Sequence, residues 1–328
     1  MQKTGIEYLD YTWNPIAMRC TPCSPGCLNC WHIRTADRLC KNCLLPVEER
    51  SALSGSGPFV LRERELEAPM KVPKSSVIGV QFMGDLFHES VPDELVEQSY
   101  SVIHRTPQHI YLVLTKRSGR MLSFVSRPIN KWEYSAMPIV PSWPFDNLWH
   151  GLTVCNQQEA DEKIPVFLQV PGKKFLSIEP CLSQIVLDPF WMKCMGAFEC
   201  DKRRPDKGKT VCHPDPCPPR INSVILGGET GPGARPMHPD WVRSVRDQCQ
   251  AAGVPFFFKQ WGEWGFSGAG STHFLSSDGK MKTIESPGED GLGAWPCRRV
   301  GRTRAGRLLD GREHNDLPWG RKVARNER

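Results

Sequence analysis

Short, nearly unbroken apolar runs recur along the 328-residue chain, and most are followed by a stretch of helical spacing. Ser76–Met83 (SVIGVQFM) is the first clear one and runs into Gly84-Asp85. Pro92–His104 then reads as a helix, with Asp93 and Glu94 in the first turn, where negative charge suits the dipole. His109–Leu114 (HIYLVL) leads to Thr115, Lys116, Arg117 and a helix predicted to reach Val125. Asn147–Val154 precedes helical Gln157–Gln169, and Lys174–Ile178 precedes Glu179-Pro180. Ser223–Leu226 precedes Gly227-Gly228-Glu229, the helix His238–Ala252 stops at Gly253, and Pro255–Phe258 is the last strand.

Strands alternating with helices imply βαβ units around a parallel sheet. These strands are apolar at successive positions, as strands covered on both faces must be. Six of them predict an α/β protein with a partial or full (β/α) barrel. Three segments interrupt the pattern. Residues 44–73 are rich in Glu and Arg and read as a surface excursion; 127–146 are rich in Pro, Trp and Ser and read as a loop; 189–220 are a Cys-rich, highly charged insertion. The expected organisation is one barrel domain over 1–297 and a basic C-terminal extension over 298–328.

In such folds the chemistry sits at the C-terminal ends of the strands. Polar residues fall at six of those ends: Asp85, Thr115 with Lys116, Asn156, Glu179, Glu229, and Lys259 with Gln260. Any one could be polar simply because strand ends lie near water; the succession favours a shared site. Lys116 and Arg117 are candidates for an anion, because positive charge at a helix start opposes the dipole. Gly227-Gly228-Glu229 can expose backbone N–H groups to a carboxylate, phosphate or ribose. Asn156 and Glu179 are candidates for ribose hydroxyls. Lys259 and Gln260 join the same rim if the barrel closes. His32, His88 and His238 are candidate acid–base groups, although a lone histidine is more often just hydrogen-bonded.

The composition is that of an ordinary globular protein, 39% hydrophobic and 24% charged. No apolar run approaches the roughly 18 residues that a membrane-spanning helix needs, so no membrane association is expected. The first residues lack a signal-peptide core, so a cytoplasmic location is expected. The formal charge of +6 comes largely from the last thirty or so residues. They read as a solvated tail or as the face toward a nucleic-acid partner.

Fourteen cysteines in a chain of this length point to metal rather than to disulfides. The densest group is Cys20-Thr-Pro-Cys23-Ser-Pro-Gly-Cys27-Leu-Asn-Cys30. Cys23, Cys27 and Cys30 are spaced C-x3-C-x2-C, which suits three irons of a [4Fe–4S] cubane and leaves the fourth open. Pro25 fixes the turn, and Gly26 allows close backbone approach. Cys20-x2-Cys23, Cys27-x2-Cys30 and Cys40-x2-Cys43 are also zinc-knuckle spacings, so spacing alone leaves a structural zinc site open. The insertion offers a candidate second site, zinc at Cys194, Cys200, Cys212 and Cys217, with His213 as an alternative ligand. Such a metal would pin a segment that has no core of its own.

A resemblance narrows these choices. The order Tyr11-Thr-Trp-Asn-Pro15, the Cys20…Cys27-x2-Cys30 loop, Gly84-Asp-Leu-Phe-His-Glu89 and Leu114-Thr-Lys-Arg117 resembles a family of uncharacterised phage and prophage proteins. So do Ile178-Glu-Pro180, Gly227-Gly-Glu-Thr-Gly231, Ala234-Arg-Pro-Met-His238 and Phe258-Lys-Gln-Trp-Gly262. That family is distantly similar to the radical S-adenosylmethionine enzymes, including spore photoproduct lyase. The resemblance implies a radical-SAM-like barrel and a [4Fe–4S] cluster that binds S-adenosylmethionine and generates a 5′-deoxyadenosyl radical. The family pattern puts its first cysteine at Cys20, giving C-x6-C-x2-C; the superfamily spacing selects Cys23 instead. Cys27 and Cys30 are ligands either way. By the superfamily's topology, Gly84-Asp85 is the candidate contact for the cofactor's amino group. The substrate is unknown, with a nucleic acid or nucleotide as one reading. The rival is a zinc-stabilised nucleic-acid-binding protein without catalysis. The sequence is silent on oligomeric state.

Overall fold

The computed structural model describes residues 1–128, 143–192, 220–266, 270–284 and 294–319. The insertion cysteines 194, 200, 212 and 217, with His213, lie outside them, as do most of the loop predicted over 127–146 and residues 320–328.

Fourteen strands occur in the described residues: β1 (Gln2–Lys3), β2 (Tyr11–Trp13), β3 (Ile16–Ala17), β4 (Val60–Leu61), β5 (Val77–Val80), β6 (Ile110–Thr115), β7 (Leu148–Thr153), β8 (Lys173–Ile178), β9 (Ser223–Gly227), β10 (Phe256–Gln260), β11 (Trp264–Phe266), β12 (His273–Leu275), β13 (Met281–Thr283) and β14 (Trp295–Arg299). Eight form one sheet in the order β1-β2-β5-β6-β7-β8-β9-β10. From β2 to β10 every pairing is parallel, and only β1 runs antiparallel. Helices Asp93–Arg105, Ser118–Val125, Gln157–Leu168 and Pro239–Ala252 occupy the crossovers. Every residue of β5, β7 and β9 is buried, as two-sided coverage requires.

The protein is therefore α/β with a large parallel sheet, and no ladder joins β10 back to β1 or β2. The sheet is nevertheless bowed. Val77, Leu112, Trp149, Phe175, Ile225 and Phe257 come from six successive strands, yet they share one apolar cluster with Tyr8 and Leu9. Tyr8, between β1 and β2 on one side of the sheet, meets Phe257 of β10 on the other edge to face at 5.7 Å, which a flat sheet would hold apart and a concave one brings together. Gly151 in β7 makes room for this packing, because a Cβ there would lie 2.2 Å from the Phe175 ring.

Two segments differ from expectation. The excursion 44–73 contains the helix Val47–Ser54 and pairs through β4 with β3, next to the cysteine loop. Its buried Glu49 is held by Arg62 at 2.8 Å and Arg64 at 3.1 Å. The basic C-terminal stretch is not a loose tail as far as residue 319. Its start belongs to a four-stranded antiparallel sheet, β11-β14-β12-β13, and the rest runs along the free side of β10. There Phe258 N–H donates to His314 O and Trp261 N–H to Gly306 O, covering an edge that would otherwise be open. Trp319 closes the floor of the bowl, 5.2 Å from Trp149 and 6.0 Å from Phe175.

Candidate functional site

Above the aromatic floor the inward-facing residues become small or polar. Thr153, Ser177, Gly228 and Lys259 line a cavity of about 610 Å³ at the C-terminal ends of the strands. Asp85, Thr115, Lys116, Glu179, Glu229 and Gln260 line it too, so five of the six predicted strand ends meet in one place. Asn156 is not among them. It caps the helix Gln157–Leu168 by accepting from Glu159 N–H at 2.9 Å, which corrects its assignment to a ribose.

The cysteine loop crosses this mouth and touches the ends of five strands in succession. Near β5 and β6, Arg117 Nη2 donates to Thr21 O at 3.1 Å and Nη1 lies 3.7 Å from Cys20 Sγ. Near β7, Ser24 Oγ sits 3.2 Å from Cys155 Sγ. A Cβ on Gly26 would lie 3.1 Å from both Cys155 Sγ and Pro180 Cδ, the latter at the end of β8. Near β9, Asn29 Nδ2 donates to Glu229 Oε2 at 3.0 Å, and Arg235 Nη2 to Pro25 O at 3.0 Å. His32, on the helix Trp31–Leu39, accepts from Cys20 N–H at 3.3 Å. Burial holds its pKa down at about 4, so it is neutral at pH 7.

The motif residues thus act first as clamps. Asp85 accepts from Thr115 Oγ1 at 2.7 Å, Phe87 N–H at 2.9 Å, Arg117 Nη1 at 3.0 Å and Lys116 N–H at 3.2 Å. Both carboxylate oxygens are engaged within the protein, which leaves Asp85 poorly placed to receive a cofactor amino group. Arg117 is bound at Nε by Glu89, at 2.7 and 2.8 Å, so it is no free anion site. Glu229 accepts from Arg235 Nε and N–H at 2.8 Å and from Nη2 at 2.6 Å, besides Asn29. Burial alone would raise its pKa, but these hydrogen bonds outweigh it and hold the carboxylate below its usual range.

The two glycines of that motif have different surroundings. Gly228 is where the backbone of Trp261 approaches; a Cβ would lie 2.2 Å from Trp261 O. Gly227 on β9 lies under an ion pair between its neighbours, where a Cβ would meet only ordinary contacts at 3.4 Å. Lys259 Nζ donates to both Glu179 oxygens, at 2.7 and 2.9 Å, over the bare Cα of Gly227. Burial opposes the lysine's charge, yet Glu179 overrides it and holds Lys259 above the ordinary lysine pKa. Gly84, φ +132°, passes too close to Met18 for any side chain.

Three thiols open on the cavity: Cys20, Cys27 and Cys30. Cys23 is exposed and does not line it, but neighbours Cys27. That neighbouring thiol, with the charge of Lys116, holds Cys27 below the usual thiol pKa. Lys116 itself has no ion-pair partner among the described residues. Cys40 and Cys43 lie beyond the helix Trp31–Leu39 and away from the cavity. Among the described residues no three His, Cys, Asp or Glu side chains converge closely enough to hold a single metal ion. His88 and His238 are taken up locally, by Thr21 and Ser90 and by Asp240 N–H respectively.

Cys155 is a residue the sequence did not single out. Its thiol, raised to about 11 by burial and by Glu159, donates to Glu159 Oε2 at 2.7 Å beneath the cysteine loop. The only local signal was its place at the end of β7.

No helix among the described residues is long and apolar enough to cross a membrane. No curated protein and no solved structure matches the chain. Residues 3–318, nearly the whole chain, match a family described as protein of unknown function (DUF5131), and the chain belongs to that family.

Proposed function

We propose that this protein is a radical S-adenosylmethionine-type enzyme on a partial (β/α) barrel, with a [4Fe–4S] cluster held by Cys20, Cys27 and Cys30. The observation that carries the reading is that these three thiols share one cavity with the polar strand ends. A tetrahedral zinc ion asks its donors to meet at one point. A cubane cluster gives each thiolate its own iron, so its ligands need only face a common space. The cavity lies at the strand ends where such barrels carry their chemistry.

When bound, the cluster and cofactor supply one-electron cleavage of a sulfonium carbon–sulfur bond and, through it, hydrogen abstraction from a substrate. The chain's own residues hold and shield. Arg117 and Glu229 fix the two ends of the loop. Lys116 offers an unpaired ammonium for an anionic group of the cofactor or the substrate. The Glu179–Lys259 pair lines the wall with charges that cancel. Thr153 and Ser177 offer hydroxyls for ribose oxygens. Gly84, Gly227 and Gly228 keep the wall low where a ligand must lie close.

The test is anaerobic purification, reconstitution with iron and sulfide, and an assay for 5′-deoxyadenosine with a reductant. About four irons per chain and cofactor cleavage are expected. Cys27→Ala and Cys30→Ala should each lose the iron. Comparing Cys20→Ala with Cys23→Ala decides the third ligand, and Cys20→Ala is expected to be the damaging one. A chain that holds only zinc and never cleaves the cofactor overturns the reading.

A further inference from the structure

The charges around the cavity do not balance. Its three carboxylates, Asp85, Glu179 and Glu229, are each matched by a cation of the protein: Arg117, Lys259 and Arg235. Four further cations line the same cavity: Lys3, Arg38, Lys116 and Arg302. None of the four has an ion-pair partner among the described residues. They come from β1, the helix Trp31–Leu39, the end of β6 and the short helix Arg302–Ala305 after β14, so the fold gathers them from distant parts of the chain.

One face of the helix that follows Cys30 adds an aromatic surface. Trp31, Thr35 and Arg38 fall at i, i+4 and i+7 and all line the cavity. Trp31 is 45% exposed, where an indole of its size would ordinarily be covered. An exposed indole one helical face from a guanidinium, above unpaired cations, suits a ligand with a flat ring and phosphates. Bases stack on aromatic side chains without regard to sequence, while cations track the backbone.

We infer that the mouth of this cavity binds the phosphates and a base of a nucleotide unit, with Trp31 as the stacking platform and Lys3, Arg38, Lys116 and Arg302 as the phosphate contacts. The inference shares its cavity with the enzymatic reading but does not depend on a cluster or on turnover. A single strand and a free nucleotide present the same chemistry. The strand is the favoured source, because the four cations come from four separate elements rather than from one phosphate-binding loop.

The experiment is a fluorescence-anisotropy titration of the full chain, without cofactor or reductant, against a labelled single-stranded oligonucleotide. A labelled mononucleotide and polyglutamate run alongside. With up to four phosphate contacts, raising salt from about 50 to about 200 mM should weaken strand binding roughly fiftyfold. Arg38→Gln with Arg302→Gln should halve the salt slope, cutting that change to roughly sevenfold. Trp31→Ala should weaken binding roughly 5- to 150-fold at fixed salt. Unchanged circular dichroism in each variant ties the loss to the contact.

Mononucleotide binding with the same sensitivity to Trp31→Ala supports the site and names a free nucleotide as its occupant. Polyglutamate binding as tight as the strand's, no binding of either nucleotide form, or strand binding indifferent to all three substitutions overturns the inference. Loss of cofactor cleavage with retained binding would count against the enzymatic reading alone.

Discussion

If Glu229 clamps the cysteine loop, removing its charge should open the loop before it unfolds the protein. Glu229→Gln keeps the shape of the side chain and replaces one accepting oxygen with a donor. Of the four hydrogen bonds that end on the carboxylate, at 2.6 to 3.0 Å, at least one from Arg235 must be lost. A hydrogen bond to a charged group contributes about 1.5–3 kcal/mol. The Arg235 side chain is 32% exposed, so water recovers part of that, and a local loss of about 2 kcal/mol is the reasonable magnitude. That corresponds to a roughly thirtyfold larger open fraction of the loop. Cys27 is buried and reports on that opening; exposed Cys43 serves as a reference in the same tube, and deeply buried Cys181 and Cys249 report global unfolding. Maleimide labelling followed by peptide mass spectrometry should show Cys27 reacting about thirtyfold faster, with Cys43, Cys181 and Cys249 unchanged. A change at Cys27 of less than about threefold, with the melting temperature also unmoved, refutes the clamp. Acceleration at Cys181 and Cys249 in step with Cys27 would show that Glu229 supports the whole fold instead.

Three further outcomes follow from the same geometry. Gly228→Ala should cost about 3 kcal/mol or prevent folding, because its Cβ meets backbone, whereas Gly227→Ala meets ordinary contacts at 3.4 Å and should change stability by less than about 1 kcal/mol; thermal melts of the pair check this. Lys259→Met should destabilise by about 3 kcal/mol by stranding Glu179, and adding Glu179→Gln should restore most of it in urea titrations. Buried His150, whose Nε2 lies 2.9 Å from the Tyr100 hydroxyl, has its pKa held down at about 3 by burial and by Lys174. The unfolded chain binds that proton near pH 6.5 and the folded chain does not, so stability is complete above pH 6.5 and falls as pH drops toward 3. The folding equilibrium should lose roughly tenfold per pH unit between about 6 and 4, and His150→Gln should flatten that limb of the urea midpoint curve.

The parallel sheet was legible because its strands are mostly buried on both faces and therefore apolar at successive positions. Predicted His109–Leu114 and observed Ile110–Thr115 differ only at their ends. β1 to β4 and β11 to β13 escaped notice because they have only two or three residues; β14 has five, but Pro296 and two arginines break its apolar run. The strand ends of the site were also legible, since polar residues after apolar runs are a local signal. Their partners were not. Asn29 and Glu229 are 200 residues apart, and Asp85 and Arg117 are 32 apart across a helix, so Asp85, Arg117 and Glu229 read as free binding groups when they are occupied. Lys116 differs from Arg117 by one position, yet only Lys116 is left for a ligand.

The cysteine loop has a mechanical consequence. A barrel that closes by hydrogen bonds has a fixed circumference; a bowed sheet without that seam is a spring, free to flatten. Here a single strip of chain is fastened to the ends of β5 and β6 on one side and of β9 on the other. It spans the arc as a bowstring spans a bow, in tension whenever the sheet tends to uncurl. The cavity's width and the position of the three thiols are therefore one variable, and whatever draws the thiols together must also tighten the bend of the sheet.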